Sequence, residues 1–442
     1  MTPIVRYAPS PTGRLHLGNA RPALLNWFYA QANGGKFVLR MDDTDLARST
    51  RAFADGIEAD LTWLGVRPDI LVRQSERTTM YDAARDRLMA AGRLYPCYET
   101  GDELDRRRKR ARALGNPPIY DRAALRLTDE DRAKLEAEGR RPHWRFKLDG
   151  RPVQFNDLIK GGQTVNTASM SDPVLVREDG SYLYTLPSVV DDIDMGITHV
   201  IRGEDHVSNT GTQIEIFEAL GGNVPDFAHH NLLTDADGQG FSKRLGSLSL
   251  SDLRAQGYEA IAVAIMAVLT GTSLPIEPYS SFAEIAEKLD LSMISHGSAR
   301  FDPAELDSLN ARILHTMPYS VARPRLEQFG LAHEPMWDLL RENLLKFDDI
   351  KDMARLVTGP MTPIIASEDR EFISLAAKRL PDEPWDGDTW GQWTSALKAE
   401  SGRKGKTLFL PLRLALTGRP DGPELKSLLA LVGRKACLDR LL

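Results

Sequence analysis

The stretch Arg6–Arg21, RYAPSPTGRLHLGNAR, constrains this chain more than any other. It opens as a short apolar strand pattern at Ile4, Val5 and Tyr7, then breaks at Pro9, Pro11 and Gly13. After His16-Leu17-Gly18-Asn19 it becomes an amphipathic helix carrying Leu24, Leu25, Trp27 and Phe28. A strand, a Pro/Gly-rich turn and a helix start together make an anion site. Backbone N–H groups point outward there, and the helix dipole adds positive potential. Gly13 and Gly18 give a phosphate room to approach the backbone, and His16 can donate a ring N–H without permanent charge. Taken alone, the motif is equally a turn with a surface histidine.

The pattern around this stretch alternates. Ile4–Ala8, Lys36–Met41 and Ile70–Arg73 read as strands; Leu17–Asn33, Ala52–Leu64 and Arg77–Ala91 read as helices. Such order implies a parallel sheet covered on both faces, with ligands at the carboxyl ends of the strands. Arg14, His16 and Asp42–Asp45 all lie just beyond strand ends. From Leu94 the pattern changes. A polar helix, Glu103–Leu114, carries the run Arg106-Arg107-Arg108-Lys109-Arg110, and strands follow at His143–Leu148, Val153–Asp157 and Val174–Arg177. This reads as an insertion splitting the first fold, and the basic run taken alone reads as a solvated face. The α/β pattern resumes at Gly180–Tyr184. It continues through a helix with Asp191-Asp192, a strand Thr198–Arg202, a helix from Asp205-His206 and a last strand, His229–Leu233. From Asp252 onward the chain reads as helices.

A second motif, Gly240-Phe241-Ser242-Lys243-Arg244, follows a turn containing Asp235, Asp237 and Gly238. A loop with Ser-Lys-Arg can supply cations where charge builds on a leaving pyrophosphate. Composition narrows the setting. At 442 residues, two to four domains are expected. The longest apolar run, Ala260–Leu269, is too short to span a bilayer and reads as a buried helix. Strand pattern begins at once, with no secretion signal, and two cysteines fit a reducing cytoplasm rather than a disulfide framework. A net charge of −6 does not advertise a nucleic-acid binder, yet an acidic body can carry local basic stripes.

The early His-x-Gly-Asn at a helix start and the late Ser-Lys-Arg loop resemble the paired motifs of class I aminoacyl-tRNA synthetases. Three further stretches make the chain similar to the glutamyl-tRNA synthetases of bacteria: APSPTG before His16, RMDDTD (Arg40–Asp45) and VIRGEDH (Val200–His206). The resemblance continues to PLRLALTG (Pro411–Gly418). It implies a Rossmann-like α/β catalytic domain with an inserted α+β subdomain that binds the acceptor end of tRNA, followed by an all-α anticodon-binding region. The implied divisions are 1–93 and 181–250 for the catalytic domain, 94–180 for the insertion, 251–310 for a helical stem contact and 311–442 for the anticodon region.

The same resemblance implies roles. His16, Gly18, Lys243 and Arg244 would act in catalysis, and Pro11, Thr12, Gly13, His16, Gly18, Asn19, Ser242 and Lys243 would hold ATP. Arg6, Arg202 and Tyr184 occupy the positions that meet the glutamate side-chain carboxylate, and Ser10 and Asp42 those that meet its amino group. The alternative for Arg6 and Arg202 is an internal salt bridge with the Asp42–Asp45 cluster. Several positions depart from the family: Asp42 stands where glutamate is frequent, Gly240 replaces the first lysine of the loop, and Leu17 stands where valine or isoleucine is familiar, a harmless aliphatic change. The zinc site of some relatives is not expected, because Tyr98-Glu99 follows Cys97 and Ala123-Ala124 stand where a cysteine would have to return. The implied requirements are ATP with Mg2+, L-glutamate and tRNA(Glu), with tRNA(Gln) left open, in a cytoplasmic monomer with no membrane contact. A non-catalytic tRNA-binding or regulatory paralogue, and an enzyme that glutamylates a modified tRNA base, are the other readings.

Overall fold

The computed structural model describes residues 2–45, 47–235, 238 and 249–442. The chain divides into two compact units, Met1–Arg254 with Val263–Asp302, and Ala255–Ala262 with Pro303–Leu442.

In the first unit, β1 (Ile4–Tyr7), α1 (Leu17–Ala32), β2 (Lys36–Met41), α2 (Arg51–Trp63), β3 (Ile70–Arg73) and α3 (Thr78–Ala90) alternate as expected. Next come β4 (Leu94–Cys97), α4 (Gly101–Ala113), α5 (Asp129–Ala137), β5 (His143–Phe146), β6 (Pro152–Asp157), β7 (Gly161–Asn166) and β8 (Val174–Val176). They lead to α6 (Thr185–Asp194), β9 (His199–Gly203), α7 (Val207–Ala219), β10 (Asp226–His230) and β11 (Leu233–Thr234). After residue 248 come α8 (Leu250–Ala255), α9 (Ala260–Leu269), α10 (Phe282–Lys288) and β12 (Ala299–Arg300).

Seven strands form the main sheet in the order β3-β2-β1-β9-β10-β6-β7, parallel throughout except for the last pair. The chain winds one way through β1, β2 and β3, then returns to the other side of β1 with β9. That reversal opens a crevice above the carboxyl ends of β1 and β9, where doubly wound sheets take their ligands. The central strands are nearly continuous apolar runs, as burial on both faces demands. Phe37, Val38, Leu39 and Met41 of β2 are all buried, as are Val5 and Tyr7 of β1. Each of β1, β2 and β9 nevertheless carries one buried arginine: Arg6, Arg40 and Arg202.

Helix α6 answers part of this charge. Asp192 accepts from Arg6 Nε at 3.3 Å and from Arg40 at 2.7 Å. Its neighbour Asp191, fully buried, accepts from Arg77 at 2.7 Å, Gln74 at 2.8 Å and the Tyr81 hydroxyl at 3.0 Å. A buried carboxylate is tolerated only when its lone pairs are filled in this way. Helix α1 is fixed to β9 by Asn26, whose amide donates to the Pro22 and Ile201 carbonyls. Arg21, also on α1, donates to the carbonyls of Ala267 and Thr270, satisfying acceptors that the C-terminal end of α9 leaves open. The expected buried helix at Ala260–Leu269 is α9, with Ala262–Leu269 sealed from solvent.

Several expectations change. The 94–180 segment was expected to hold its strands together, but only β4, β5 and β8 form a separate three-stranded sheet. β6 pairs in parallel with β10, so β6 and β7 extend the main sheet instead. β7, GGQTVN, has no apolar alternation to announce it and is held by its antiparallel register with β6. The expected strand His229–Leu233 is really β10 ending at His230 and a separate β11, which pairs with an unforeseen β12.

The second unit is helical: α11 (Pro303–Thr316), α12 (Tyr319–Gln328), α13 (Glu334–Leu340), α14 (Ile350–Thr358), α15 (Arg370–Lys378), α16 (Thr389–Ser401), α17 (Lys406–Thr417), α18 (Leu425–Val432) and α19 (Arg434–Leu441). Trp337 and Phe347 centre one of its apolar clusters, Trp393 and Leu412 another. Among the described residues no helix is long and apolar enough to cross a membrane.

Asp191 makes a direct test of the ionic layer. D191A strands several buried donors and should destabilise the first unit by about 3–5 kcal/mol, read as a lower urea midpoint. An unchanged midpoint would show that the layer contributes nothing to stability.

Candidate active site

At the switch point lies a cleft of about 790 Å³. Its walls come from the β1–α1 turn, the end of β2, the start of α6 and the end of β9. Arg6, Ser10, Thr12, His16, Gly18, Asn19, Asp42, Tyr184 and Arg202 all line it, so the sequence reading brought together residues that are far apart in the chain. Pro11 and Gly13 do not line it. Pro11 instead uses its carbonyl to accept from Thr50 N–H, and a side chain at Gly13 would meet open space. Gly240, Ser242, Lys243 and Arg244 lie outside the described residues.

His16 caps the start of α1 through its backbone, accepting from the N–H groups of Asn19 and Ala20 at 2.9 and 3.0 Å. Its backbone also pairs with Ser249, and Leu250 N–H donates to the Leu15 carbonyl at 2.9 Å. The chain just after residue 248 is therefore tied beside His16. Burial lowers the His16 pKa, so the ring is neutral at pH 7. Pro22, the sixth residue of the helix and four beyond Gly18, lacks the N–H that would bond to the Gly18 carbonyl, and both residues face the cleft. The start of α1 thus offers peptide groups and a neutral ring to an anion rather than a fixed cation.

The three arginines differ in how their charges are answered. Burial works against the Arg40 charge, but Asp42 and Asp192 outweigh it and keep the guanidinium protonated. Arg6 is lowered by burial, only partly offset by Asp192. Arg202 is lowered too, to about 9, by burial and then by repulsion from Arg6. No carboxylate among the described residues pairs with it. Its Nε donates to His229 Nε2 at 3.2 Å and its Nη2 to the Thr210 hydroxyl at 2.7 Å. A desolvated cation with only neutral partners is a standing site for an anionic ligand.

The alternative of an internal salt bridge is met in part. Arg6 does pair internally, but with Asp192 and not with Asp42–Asp45. Those acids serve other donors: Asp42 grips Arg40 through both oxygens, Asp43 accepts from Ser75, and Asp45 holds Arg48. Tyr184, 43% exposed at the start of α6, sets its ring edge-on to His206 at 6.4 Å. Sequence reading missed Asp192, His229 and Asp157 as parts of this site. The doubled acids Asp191-Asp192 on an otherwise apolar helix were the one available signal.

The three-stranded sheet corrects another expectation. Cys97 was read as lacking a ligand set, but β4–β5 pairing places His143 directly opposite it. Ligand atoms of Cys97, Glu99 and His143 lie within 4.8 Å of one another. The Tyr120 hydroxyl bonds to Glu99 at 2.8 Å, and the Arg145 guanidinium stacks 4.3 Å from the Tyr120 ring. The set has one thiol, is one ligand short of a closed tetrahedral site and has a fixed cation beside it, so it fits structural zinc poorly.

Residues 4–308 match the family model described as "tRNA synthetases class I (E and Q), catalytic domain", and residues 310–442 one described as "Anticodon binding domain". The chain belongs to the class I tRNA synthetases for glutamate and glutamine. Family membership carries ATP use with it. Among curated members, glutamate–tRNA ligase 2 of Methylorubrum populi is 59% identical over 443 residues, covering 100% of this chain and 98% of the relative. Glutamate–tRNA ligase 1 of Brucella canis is 55% identical and covered over 100% of both chains. Among solved structures, a glutamate tRNA ligase from Elizabethkingia meningosepticum, determined in complex with its amino acid, superposes with a TM-score of 0.86 at 26% identity. The match covers 100% of this chain and 98% of that one.

The unequal pairing of the arginines predicts opposite stability effects in the ligand-free synthetase. R202A removes an unanswered buried charge and should leave the urea midpoint unchanged or higher. R6A takes a donor from buried Asp192 and should cost roughly 1–3 kcal/mol. A lower midpoint for R202A would mean that Arg202 has an unrecognised structural partner.

Proposed function

We propose that this synthetase is a glutamate–tRNA ligase, activating L-glutamate with ATP and transferring it to the terminal adenosine of tRNA(Glu). The observation that carries the proposal is Arg202, a buried guanidinium facing the switch-point cleft with no carboxylate partner among the described residues. Glutamate answers it with a side-chain carboxylate. Arg6 supplies a second, already half-neutralised guanidinium on the same wall, and Tyr184 closes the mouth of that pocket. Ser10 and Asp42 receive the amino group. Because Asp42 already grips Arg40, it presents a shared rather than a full negative charge to the ligand.

The α-carboxylate oxygen attacks the α-phosphorus of ATP, the bond to the β-phosphate breaks, and pyrophosphate leaves. A ribose hydroxyl of the tRNA then attacks the activated carbonyl and AMP departs. Thr12, His16, Gly18 and Asn19 position the nucleotide at the start of α1, where a neutral imidazole donates without trapping the product phosphates. Pro11 and Gly13 shape the turn. Ser242, Lys243 and Arg244, by their resemblance to the family motif, meet the departing pyrophosphate, with Mg2+ arriving on ATP. Residues 94–180, with the basic face of α4, are read as the acceptor-end contact. The second unit, matching the anticodon model, is read as the anticodon reader. We place the enzyme in the cytoplasm as a monomer. Coverage of ligase relatives over their full length, helical unit included, supports this reading over a non-catalytic or base-modifying paralogue.

Glutamate-dependent ATP–pyrophosphate exchange, run with and without tRNA(Glu), tests the assignment, and charging of tRNA(Glu) beside tRNA(Gln) sets the tRNA range. Absence of exchange under both conditions would overturn it. K243A should slow exchange roughly 10²–10³-fold with little change in ATP affinity, because the charge it meets develops in the transition state. Purified, dialysed enzyme should contain far less than stoichiometric zinc by elemental analysis. One zinc per chain would show that Cys97, Glu99 and His143 recruit a further ligand.

A further inference from the structure

We propose that His229, oriented by Asp157, is the positioning residue that aims Arg202 at the substrate carboxylate and so sets the preference for glutamate over glutamine. This inference rests on the glutamate–tRNA ligase reading.

Asp157 ends β6, and β6 lies beside β10, with Asp157 opposite Phe227 in register. One Asp157 oxygen, Oδ1, accepts three backbone N–H groups, from Ile159, Lys160 and His229, at 3.0, 2.8 and 3.2 Å. The other, Oδ2, lies 2.5 Å from His229 Nδ1. Burial opposes the Asp157 charge, but the bonds from His229 and the backbone overcome it, so the group is ionised. Burial keeps the His229 ring neutral. A neutral ring facing a carboxylate must carry its proton on Nδ1, which leaves Nε2 as a lone pair. That lone pair accepts from Arg202 Nε.

The Thr210 hydroxyl completes the seat: it accepts from Arg202 Nη2 at 2.7 Å and can donate to the same His229 Nε2 lone pair at 3.1 Å or to the His206 carbonyl at 3.3 Å. Together His229 and Thr210 occupy one edge of the guanidinium. Nη2 also reaches the His206 carbonyl at a long 3.5 Å, so among the described residues Nη1 alone is left wholly for a ligand. A carboxylate that takes both nitrogens of the planar fork in two parallel bonds displaces that weak contact. The Phe227 ring lies parallel to the His229 ring, with centroids 6.1 Å apart. None of His229, Thr210 and Asp157 carries a charge that would cancel that of Arg202, except Asp157, which is separated from it by the imidazole. The relay therefore holds the arginine without neutralising it. An ion pair in place of His229 would orient Arg202 equally well and remove its selectivity for an anion.

Asp157→Asn tests the relay. The three backbone donors keep the amide oxygen, so its NH2 faces His229 Nδ1 and forces the proton to Nε2, against Arg202 Nε–H. In exchange assays, D157N and His229→Leu should each raise the glutamate KM roughly 10–100-fold with kcat changed far less, since a hydrogen bond to a charged binding group is lost. The ratio of glutamate to glutamine use should fall by a similar factor. His229→Gln, which keeps an acceptor for Arg202, should recover most of the affinity. Nitrogen-15 spectra of wild-type protein should show His229 protonated at Nδ1, and those of D157N at Nε2. If wild-type enzyme fails to activate glutamate, the functional reading falls. If it does activate glutamate but His229→Leu keeps wild-type KM and selectivity, or wild-type His229 is protonated at Nε2, the positioning role falls. Should D157N not fold, the two His229 variants and the wild-type spectrum decide the matter.

Discussion

One carboxylate, that of Asp192, stands between two guanidiniums, and the character of the cleft follows from that sharing. Arg6, Arg40 and Arg202 come from three adjacent strands and are all shielded from water. Asp192 serves Arg6 and Arg40, Asp42 serves Arg40 again, and Asp191 is committed chiefly to Arg77, Gln74 and Tyr81. Among the described residues the third arginine is left with neutral partners: a histidine, a threonine hydroxyl and the His206 carbonyl. A fold that wanted only stability would put a carboxylate or an apolar side chain there, since isolated buried charge is costly. Here the deficit lies where the sheet reverses, the position at which a parallel α/β fold presents its ligands.

The two ends of the cleft are electrostatically distinct. At the α1 end, a neutral His16 and helix-start peptide groups face the anion. At the β9 end, a full positive charge is held in a low-dielectric pocket. On the proposed reading, a nucleotide phosphate would meet the first solution and the side-chain carboxylate of glutamate the second. The phosphate must be released after each cycle, and the carboxylate must be told apart from its neutral amide.

Legibility in the sequence followed the range of the interactions. Strands β1, β2, β3 and β9 are apolar runs that declare themselves locally, and the motifs around His16 and Arg202 carried both binding regions through family resemblance. β6 was also visible as a strand, but its partner was not, because pairing with β10 depends on a register set far away in the chain. Everything built on that pairing was hidden with it, including the contact of Asp157 with His229. His143 was hidden in the same way, since only antiparallel pairing of β4 and β5 brings it to Cys97. β7 gave no signal at all, because its residues alternate between exposed and half-buried without an apolar face. Arg6 and Asp42 were seen as ligand contacts, with a salt bridge between Arg6 and the Asp42–Asp45 cluster as the alternative, but their internal partners Asp192 and Arg40 depend on tertiary contacts and were not.

The strand order has a consequence for biosynthesis. β1 is central in the sheet, yet one of its two neighbours, β9, pairs with it through Val5 and His199, residues at opposite ends of a long stretch of translation. At about 5–20 residues per second, the ribosome needs on the order of 10–40 s to deliver the second neighbour after the first strand appears. Throughout that interval the nascent β1–β2–β3 sheet presents an apolar open edge, with Arg6 and Arg40 awaiting Asp192. Arg6, on the edge strand β1 itself, then acts as a solubilising charge on an unfinished edge, the role that charged residues play on permanent sheet edges. The same side chain thus guards the growing chain before it helps organise the finished enzyme.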